Sequence, residues 1–238
     1  MNPYYENAGV KLYHGDCREV FPEIPSAHLV LTDPPYPKEY EWVWSVLGEH
    51  SARILVEGGS LVSLCGHYQV PHVLSTIGAH LRFWWACGML QTARVRMPGK
   101  WVNIYWKPAF WWVQGRRRSD LLSDLPVDML KGVNEGKVYH KWQQPLTWFS
   151  HWIERLSRPG EIVVDPFAGS GTTLIAAHLL DRQAVGIEYE EEACETIAMR
   201  LEDKQMLDFY RNHEGEAYRP SQEPNLISEL FGEPGDED

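Results

Sequence analysis

The chain has 238 residues, of which 44% are hydrophobic and 23% charged, and its formal net charge is −11. This composition is that of a single globular domain, and it excludes a chain that is disordered throughout. No apolar run is long enough for a membrane helix, the first residues lack the features of a signal peptide, and the four cysteines show no C-x-x-C spacing. We therefore expect a reduced cytoplasmic protein without a zinc site, a disulfide framework or a membrane partner.

The acidic charge is unevenly distributed along the chain. From Glu214 to Asp238 there are eight acids and one base, which predicts an acidic, disordered tail over 214–238. The segment from Gly58 to Ser119 contains no acid, eight bases and six of the eleven tryptophans. A basic, aromatic-rich segment indicates contact with nucleic acid, although a buried aromatic sheet with solvated arginines gives the same composition.

Hydrophobic periodicity predicts an alternation of strands and helices. The predicted strands are 10–13, 28–32, 60–65, 83–91, 102–114, 161–165 and 183–188. The predicted helices are 41–55, 68–81, 146–156, 172–180 and 191–204. This alternation favours an open α/β fold with a mostly parallel sheet. The polar segment 115–138 is weakly patterned and is predicted to be a loop or a small insertion.

The first motif is Asp33-Pro34-Pro35-Tyr36, which directly follows the predicted strand 28–32. Its prolines fix the backbone φ and have no N–H, so the backbone presents carbonyl oxygens to a ligand. Taken alone, the tetrapeptide also fits a turn that ends a strand.

The second motif is a glycine-containing loop between the predicted strand 161–165 and the predicted helix 172–180. It reads Asp165-Pro166-Phe167-Ala168-Gly169-Ser170-Gly171-Thr172-Thr173. Glycines at such a place let a ligand approach the backbone beyond the carboxyl end of a strand. The loop lacks the third glycine of a dinucleotide fingerprint, the lysine of a P-loop and the G-x-S-x-G of a hydrolase. Glu188, at the end of the next strand, is suited to accept hydrogen bonds from ribose hydroxyls, with a solvated acid as the alternative.

Together these residues resemble the S-adenosylmethionine-dependent DNA amino-methyltransferases, in which D-P-P-Y is the catalytic motif and D-P-F-A-G-S-G-T-T the cofactor loop. The catalytic motif precedes the cofactor loop by 132 residues, which is the order of the beta class. The resemblance implies a circularly permuted Rossmann-like methyltransferase fold over 1–213. It also implies a mostly parallel seven-stranded sheet with helices on both faces.

Two weaker matches support the same family. The segment 140–145 resembles its H-P-T-Q-K-P, with agreement at three positions and differences at Lys141, Trp142 and Gln144. The segment 14–17 resembles the G-D that follows a family strand, although Asp16 also suits the N-cap of a helix. Besides the loop 165–173, the residues that the resemblance assigns to the cofactor are Asp16, Cys17, Asp33, His140, Trp142, Gln143, Pro145, Glu188 and Tyr189.

The resemblance also implies the chemistry. Asp33 and the carbonyl oxygen of Pro34 would accept hydrogen bonds from the amino group of a base, and Tyr36 would stack on that base once it has left the duplex. The cofactor is already activated, so orientation would supply most of the rate and no metal site is predicted. Because D-P-P-Y occurs mostly in adenine-specific members, N6 of adenine is the predicted target and N4 of cytosine is the alternative.

Double-stranded DNA is the predicted partner. The residues predicted to bind it are Lys38, Arg94, Arg96, Lys100, Arg116, Arg117 and Arg118. The arginine triplet begins a small target-recognition insertion at about 115–138, with a solvated loop as the alternative. A homodimer and a separate restriction endonuclease are open alternatives, and the expected setting is the cytoplasm of a bacterial or phage-infected cell. One alternative is a protein or RNA amide methyltransferase, but the order of the motifs and the aspartate at position 33 disfavour it. Another is a catalytically inactive DNA-binding module, which the intact motifs disfavour.

Overall fold

The computed structural model describes residues 2–97, 101–121, 126–132 and 144–213, with the side chains of 91–97 left out. The strands of the described residues are β1 (Tyr5–Asn7), β2 (Val10–His14), β3 (Ala27–Thr32), β4 (Leu55–Leu64), β5 (Arg82–Met97), β6 (Val102–Val113), β7 (Met129–Lys131), β8 (Ile162–Asp165) and β9 (Gln183–Glu188). The helices are α1 (Cys17–Val20), α2 (Val43–Ile54), α3 (Val70–Gly78), α4 (Leu146–Leu156), α5 (Thr172–Leu179), α6 (Glu191–Glu202) and α7 (Lys204–Asn212).

These strands form one sheet in the order β1-β2-β9-β8-β3-β4-β6-β5-β7. The central run from β2 to β4 is parallel throughout, whereas β6 is antiparallel to both of its neighbours and β1 is antiparallel to β2. The predicted α/β fold with a mostly parallel sheet is confirmed. The predicted count of seven strands is wrong for the described residues, which form nine. The two additional strands, β1 and β7, are the outermost strands of the sheet. Each has three residues, which is too short to give a periodic pattern.

Strict alternation along β3 explains why helices cover both faces of the sheet. Leu29 and Leu31 lie in one hydrophobic core, which also contains Trp152 of α4, whereas Val30 lies in a second core with Leu47 of α2. Side chains of successive strand residues point to opposite faces, so a strand with no polar break must be covered on both. Each such side chain contributes roughly 1.5–3 kcal/mol by leaving water.

Some element bounds differ from the prediction. Strand β4 begins at Leu55, directly after α2, and is irregular near Gly58, whose φ of +77° is left-handed. The predicted helix 191–204 ends at Glu202, and a separate helix α7 follows, capped by the Asp203 carboxylate, which accepts a hydrogen bond from the Met206 backbone N–H at 3.0 Å. Such a cap stops one helix and starts the next.

The difference in burial between two tryptophans predicts different losses of stability when each is replaced. Trp152 is fully buried, whereas Trp85 on β5 is 54% exposed. We expect Trp152→Ala to lower the free energy of unfolding by about 3–5 kcal/mol. The matched control Trp85→Ala should lower it by less than about 1 kcal/mol. Chemical denaturation of the three proteins measures the difference, and equal losses would contradict the assignment of Trp152 to the core.

Candidate active site

The carboxyl ends of the central parallel strands bring the two sequence motifs to one edge of the sheet. Asp33 directly follows β3, Asp165 ends β8, Glu188 ends β9, and Asp16 lies two residues beyond β2. Neighbouring strands are in register, since His14 pairs with Glu188 and Val30 with Val164. Ligands in open α/β sheets bind at this kind of edge.

A buried carboxylate joins the two motifs. The Thr32 hydroxyl donates a hydrogen bond to Asp165 Oδ1 at 2.6 Å, and the Thr173 hydroxyl donates one to Oδ2. The backbone N–H of Phe167 also donates to Oδ1, at 3.1 Å. Burial raises the pKa of Asp165 to about 6, against the opposing effect of these three hydrogen bonds. The residue before Asp33 is thereby tied to the first residue of the glycine loop.

The glycine loop leaves open space beside its backbone. Gly169 and Gly171 have φ values of +55° and +80°, a left-handed conformation that favours glycine. A Cβ at Gly171 would lie 2.9 Å from Ile197 of α6, so this glycine also permits close packing. A Cβ at Gly169 would meet no atom within 4 Å and would project into free space. The remaining loop residues are buried, apart from the half-buried Phe167.

Glu188 is held in a fixed orientation by the backbone. Its Oε2 accepts a hydrogen bond from the Gly169 N–H at 2.7 Å, and Oε1 accepts from the N–H groups of Tyr189 and Glu190 at 2.8 and 2.9 Å. Burial raises its pKa, and the three hydrogen bonds oppose that change. This is not the solvated acid considered as the alternative. A carboxylate offers about four acceptor directions, so one remains for a ligand hydroxyl.

Asp16 and Cys17 serve the start of α1. The Asp16 carboxylate accepts a hydrogen bond from the Arg18 N–H at 2.8 Å and forms an ion pair with the Arg18 guanidinium. Hydrogen bonding to that guanidinium lowers the pKa of Asp16. The Cys17 side chain is buried in the second core, and burial raises the pKa of its thiol to about 12. The N-cap reading of Asp16 therefore holds, and Cys17 has only its backbone to offer a cofactor.

Three donors surround the Asp33 carboxylate. Lys107 Nζ and Gln144 Nε2 each donate a hydrogen bond to Oδ2 at 2.7 Å, and the Tyr36 hydroxyl donates to Oδ1. The Lys107 ammonium also lies 4.9 Å from the centre of the Tyr36 ring. Burial raises the pKa of Tyr36 well above its usual value, with Asp33 adding to the effect. Neither Lys107 nor Gln144 was predicted as a site residue, although Lys107 is the single charged residue within the apolar strand β6.

The Tyr36 backbone is fixed as well. Its carbonyl oxygen accepts hydrogen bonds from the Tyr68 hydroxyl and from Gln69 Nε2, both at 2.7 Å. Pro34 is buried and Pro35 half-buried. Lys38 is exposed and begins the 3₁₀ turn Lys38–Tyr40, which follows the first motif directly after Pro37.

The structure does not bring the arginine triplet to this edge. Because β6 runs antiparallel, its last residue, Val113, pairs with Ser60 rather than with the carboxyl end of β4. The triplet therefore follows at the opposite edge of the sheet. The Arg118 guanidinium forms ion pairs with Glu161 and Asp120, both at 2.8 Å.

The other two arginines lie at the same opposite edge. The Arg117 guanidinium lies over the rings of Trp84 and Trp111 at 5.7 and 5.2 Å, and burial lowers its pKa. Arg116 is exposed, and its backbone N–H donates a hydrogen bond to Glu57 at 2.7 Å. Arg117 and Arg118 thus pack and form ion pairs within the protein. Contact of the triplet with DNA stays a prediction.

An extended ribbon projects beyond the catalytic edge instead. Strand β4 ends at Leu64, which pairs with Ala109, whereas β5 and β6 continue outward as far as the Met97–Val102 pair. We call residues 90–97 and 102–106 the outer ribbon; its backbone includes Arg94 and Arg96. Trp101, at the end of the ribbon, is 95% exposed.

Several predicted positions lie outside the described residues. These are Lys100, His140, Trp142, Gln143 and the tail 214–238. Pro145 is described and directly precedes α4, and Tyr189 is exposed beside Glu188. Within the described part of the chain, no three or more histidine, cysteine, aspartate or glutamate residues form a group suited to a metal ion. Over the same residues, every helix is too short or too polar to cross a bilayer.

Comparison with known proteins identifies the family. Residues 38–200 match the family model of the N6/N4 methyltransferases, described as DNA methylase. The chain belongs to this family. Membership confirms the predicted class, a DNA methyltransferase that uses S-adenosylmethionine.

Individual relatives agree with this placement. The type II methyltransferase M.BamHI of Bacillus amyloliquefaciens is 26% identical over 287 residues, covering 97% of this chain and 66% of that protein. The fold is similar to that of the cytosine-N4-specific PvuII DNA methyltransferase, with a TM-score of 0.74, 20% identity and coverage of 91% and 97% of the two chains. It is also similar to the complex of M1.HpyAVI with S-adenosylmethionine, with a TM-score of 0.69, 22% identity and coverage of 81% and 99%.

The raised pKa of Asp165 predicts a pH dependence of stability. Its usual value is 3.8 and its value in the fold is about 6, so the folded state binds the proton more tightly. The resulting stabilisation is complete below the lower value and is lost as the pH rises through the higher one. Asn at this position keeps the shape and cannot titrate. From pH 7 to pH 5, the free energy of unfolding of the wild type should therefore rise by about 1 kcal/mol relative to Asp165→Asn.

Denaturant unfolding of both proteins at the two pH values measures this difference. All other titrating groups are common to the two proteins and cancel. A difference that is independent of pH would show that the Asp165 carboxyl titrates as it does in the unfolded chain.

Proposed function

We propose that this protein transfers the methyl group of S-adenosylmethionine to N6 of an adenine that has left the stack of duplex DNA. The observation that carries the proposal is the hydrogen bond from Thr32 to Asp165. It fixes the acceptor Asp33 beside the glycine loop, so a base held by the first motif would lie next to a cofactor held by the second. Proximity of the two reactants is the main requirement of a transfer from an activated donor.

The residues present fit the cofactor. The free space beside Gly169 admits a ligand against the backbone, and the remaining acceptor direction of Glu188 suits a ribose hydroxyl. When bound, S-adenosylmethionine supplies a methyl group on a positively charged sulfur. The exposed Tyr189 and the loop Asp165 to Thr173 complete the residues that would hold it.

Asp33 and Pro34 would orient the amino group. The nitrogen lone pair of a base amine is delocalised into the ring, and hydrogen bonds to the Asp33 carboxylate and the Pro34 carbonyl favour a tetrahedral nitrogen. The charge of the carboxylate stabilises the positive charge that develops on this nitrogen as it gains the methyl group. The Asp33 carboxylate is also the acceptor nearest to the proton that the nitrogen then loses.

Tyr36 provides the stacking surface for the base. Its hydroxyl is hydrogen-bonded to Asp33, and its backbone carbonyl is held by Tyr68 and Gln69. The ring therefore has a fixed orientation relative to the acceptor. Stacking on an aromatic side chain stabilises a base outside the duplex by about 1–3 kcal/mol.

Adenine is the preferred target because of the aspartate in the first motif. A second candidate, N4 of cytosine, is supported by the fold similarity to the cytosine-N4-specific PvuII enzyme. Both amines lie beside a ring nitrogen and would meet the same acceptors, so base choice depends on the shape of the pocket.

Asp33→Ala tests the reaction and the assigned role of this carboxylate together. We expect the purified wild type to transfer labelled methyl groups to unmodified duplex DNA, with N6-methyladenine found by nucleoside mass spectrometry. Transfer by Asp33→Ala should fall by at least about 100-fold, since a preorganised charge is lost. Binding of S-adenosylmethionine, measured by calorimetry, should persist in the variant because the glycine loop and Glu188 are intact.

The outcomes separate the alternatives. If the product is N4-methylcytosine, the proposed mechanism stands and the target base is cytosine instead of adenine. Near-normal transfer by Asp33→Ala would contradict the role of Asp33 as the acceptor of the amine hydrogen bond. Cofactor binding without transfer to duplex or single-stranded DNA would favour the inactive binding module.

We also propose that the outer ribbon and Lys38 contact the DNA. A two-stranded ribbon fits the major groove, and the ribbon extends from the edge at which Asp33 lies. Each phosphate contact contributes about 0.9 to the slope of log affinity against log salt. We expect Arg96→Gln to reduce this slope by about 1.

Arg116→Gln is the matched control for the ribbon. Arg116 is equally basic but lies at the opposite edge of the sheet, so its variant should keep the slope of the wild type. Fluorescence anisotropy with labelled duplex over a salt series measures the three slopes. A reduced slope for Arg116→Gln and an unchanged one for Arg96→Gln would assign the DNA to the other edge.

A further inference from the structure

Lys107 is the single charged residue of strand β6, and its ammonium contacts Asp33 at the catalytic edge. Its side chain is 14% exposed, and that of its partner Asp33 is 17% exposed. A charge that is this far out of water must be paired. The flanking residues of β6 that continue along its face, Ala109 and Trp111, belong to the core.

The pair presents a hydrogen-bond donor directly beside an acceptor. Lys107 Nζ is 2.7 Å from Asp33 Oδ2, the same oxygen that accepts from Gln144. The ammonium also lies over the Tyr36 ring, at 4.9 Å from its centre. It therefore stands within the space that a base stacked on Tyr36 would use. A flexible four-carbon stem allows the ammonium to move aside while it keeps a hydrogen bond.

The edge of the target base has the complementary pattern. In adenine the N6 amine, a donor, lies beside the ring nitrogen N1, an acceptor, and in cytosine N4 lies beside N3 in the same way. The Asp33–Lys107 pair thus matches the donor–acceptor pattern of both amines that the proposed function considers.

We propose that Lys107 is a specificity-determining residue that donates a hydrogen bond to the ring nitrogen next to the target amine. The inference rests on the proposed function, in which Asp33 accepts from that amine. As the base arrives, the Lys107 ammonium exchanges its contact with the Tyr36 ring for the ring nitrogen. Because the ammonium pulls electron density from the base and does not increase the nucleophilicity of the amine, its contribution is to recognition and not to the methyl-transfer step.

A base analogue tests this role without relying on a variant. In 1-deazaadenine a C–H replaces N1, and the amine is retained. The target is placed opposite an abasic site, so that base-pairing strength does not differ between the two DNAs. Single-turnover rates with saturating enzyme are then compared for adenine and 1-deazaadenine. A hydrogen bond to a charged group corresponds to about a 10-fold or larger preference of the wild type for adenine.

Variants assign the preference to Lys107. Lys107→Met removes the donor and keeps the length of the side chain, so the preference for adenine over 1-deazaadenine should fall by about 10-fold relative to the wild type. Lys107→Arg keeps a cationic donor and should keep part of the preference. Lys11→Met, at an exposed lysine of β2 that pairs with Glu6, is the control and should behave as the wild type. Calorimetric binding of S-adenosylmethionine shows that each variant is folded.

The results discriminate between this inference and the proposed function. A ratio of the two rates that is the same in the wild type and in Lys107→Met would overturn the role of Lys107 while methyl transfer itself stands. If the product is N4-methylcytosine, 3-deazacytosine takes the place of 1-deazaadenine with the same expectation. Absence of transfer to any base would instead overturn the proposed function, and the inference with it.

Discussion

The catalytic edge depends on the hydrogen bonds that a buried carboxylate, Asp165, accepts from two segments of the chain. Thr32 ends the strand that carries the first motif, and Thr173 belongs to the helix that follows the second. A buried carboxylate is costly unless its oxygens accept hydrogen bonds, so its burial favours the arrangement in which both segments lie beside it. The raised pKa of Asp165 reflects the remaining cost. The chain thus gives up stability to hold Asp33 beside the loop of Gly169.

In the protein without DNA, the Asp33 carboxylate accepts hydrogen bonds from other side chains of the protein. Lysine, tyrosine and glutamine side chains occupy its two oxygens, and a base amine must take over at least one of these places. Gln144, which stands where the family segment H-P-T-Q-K-P has lysine, donates to the same Asp33 oxygen as Lys107 of β6.

Elements with strong local signals could be predicted from the sequence. Helix α4 and strand β9 have the predicted bounds, because each has a clear hydrophobic pattern and a breaker nearby. Partners across the sheet could not be predicted, because the pairing of β6 with β4 is absent from any local pattern. For that reason the sequence did not indicate Lys107, although it contacts Asp33. Nor did it indicate that β6 ends, just before the arginine triplet, at the end of the sheet opposite Asp33.

Because β6 is antiparallel to β4, it runs from the outer ribbon toward the catalytic edge and sets the distance between Val102 and Lys107. Strand β6 carries both its half of the outer ribbon, 102–106, and Lys107, so DNA bound by the ribbon as proposed would be held at a set distance from the base at Asp33. A strand rises by about 3.3 Å per residue, so the stretch from Val102 to Lys107 spans roughly 17 Å. That length corresponds to about five base pairs of duplex. On the proposed function, the bases that the ribbon contacts would therefore lie at a short, constant distance from the methylated base.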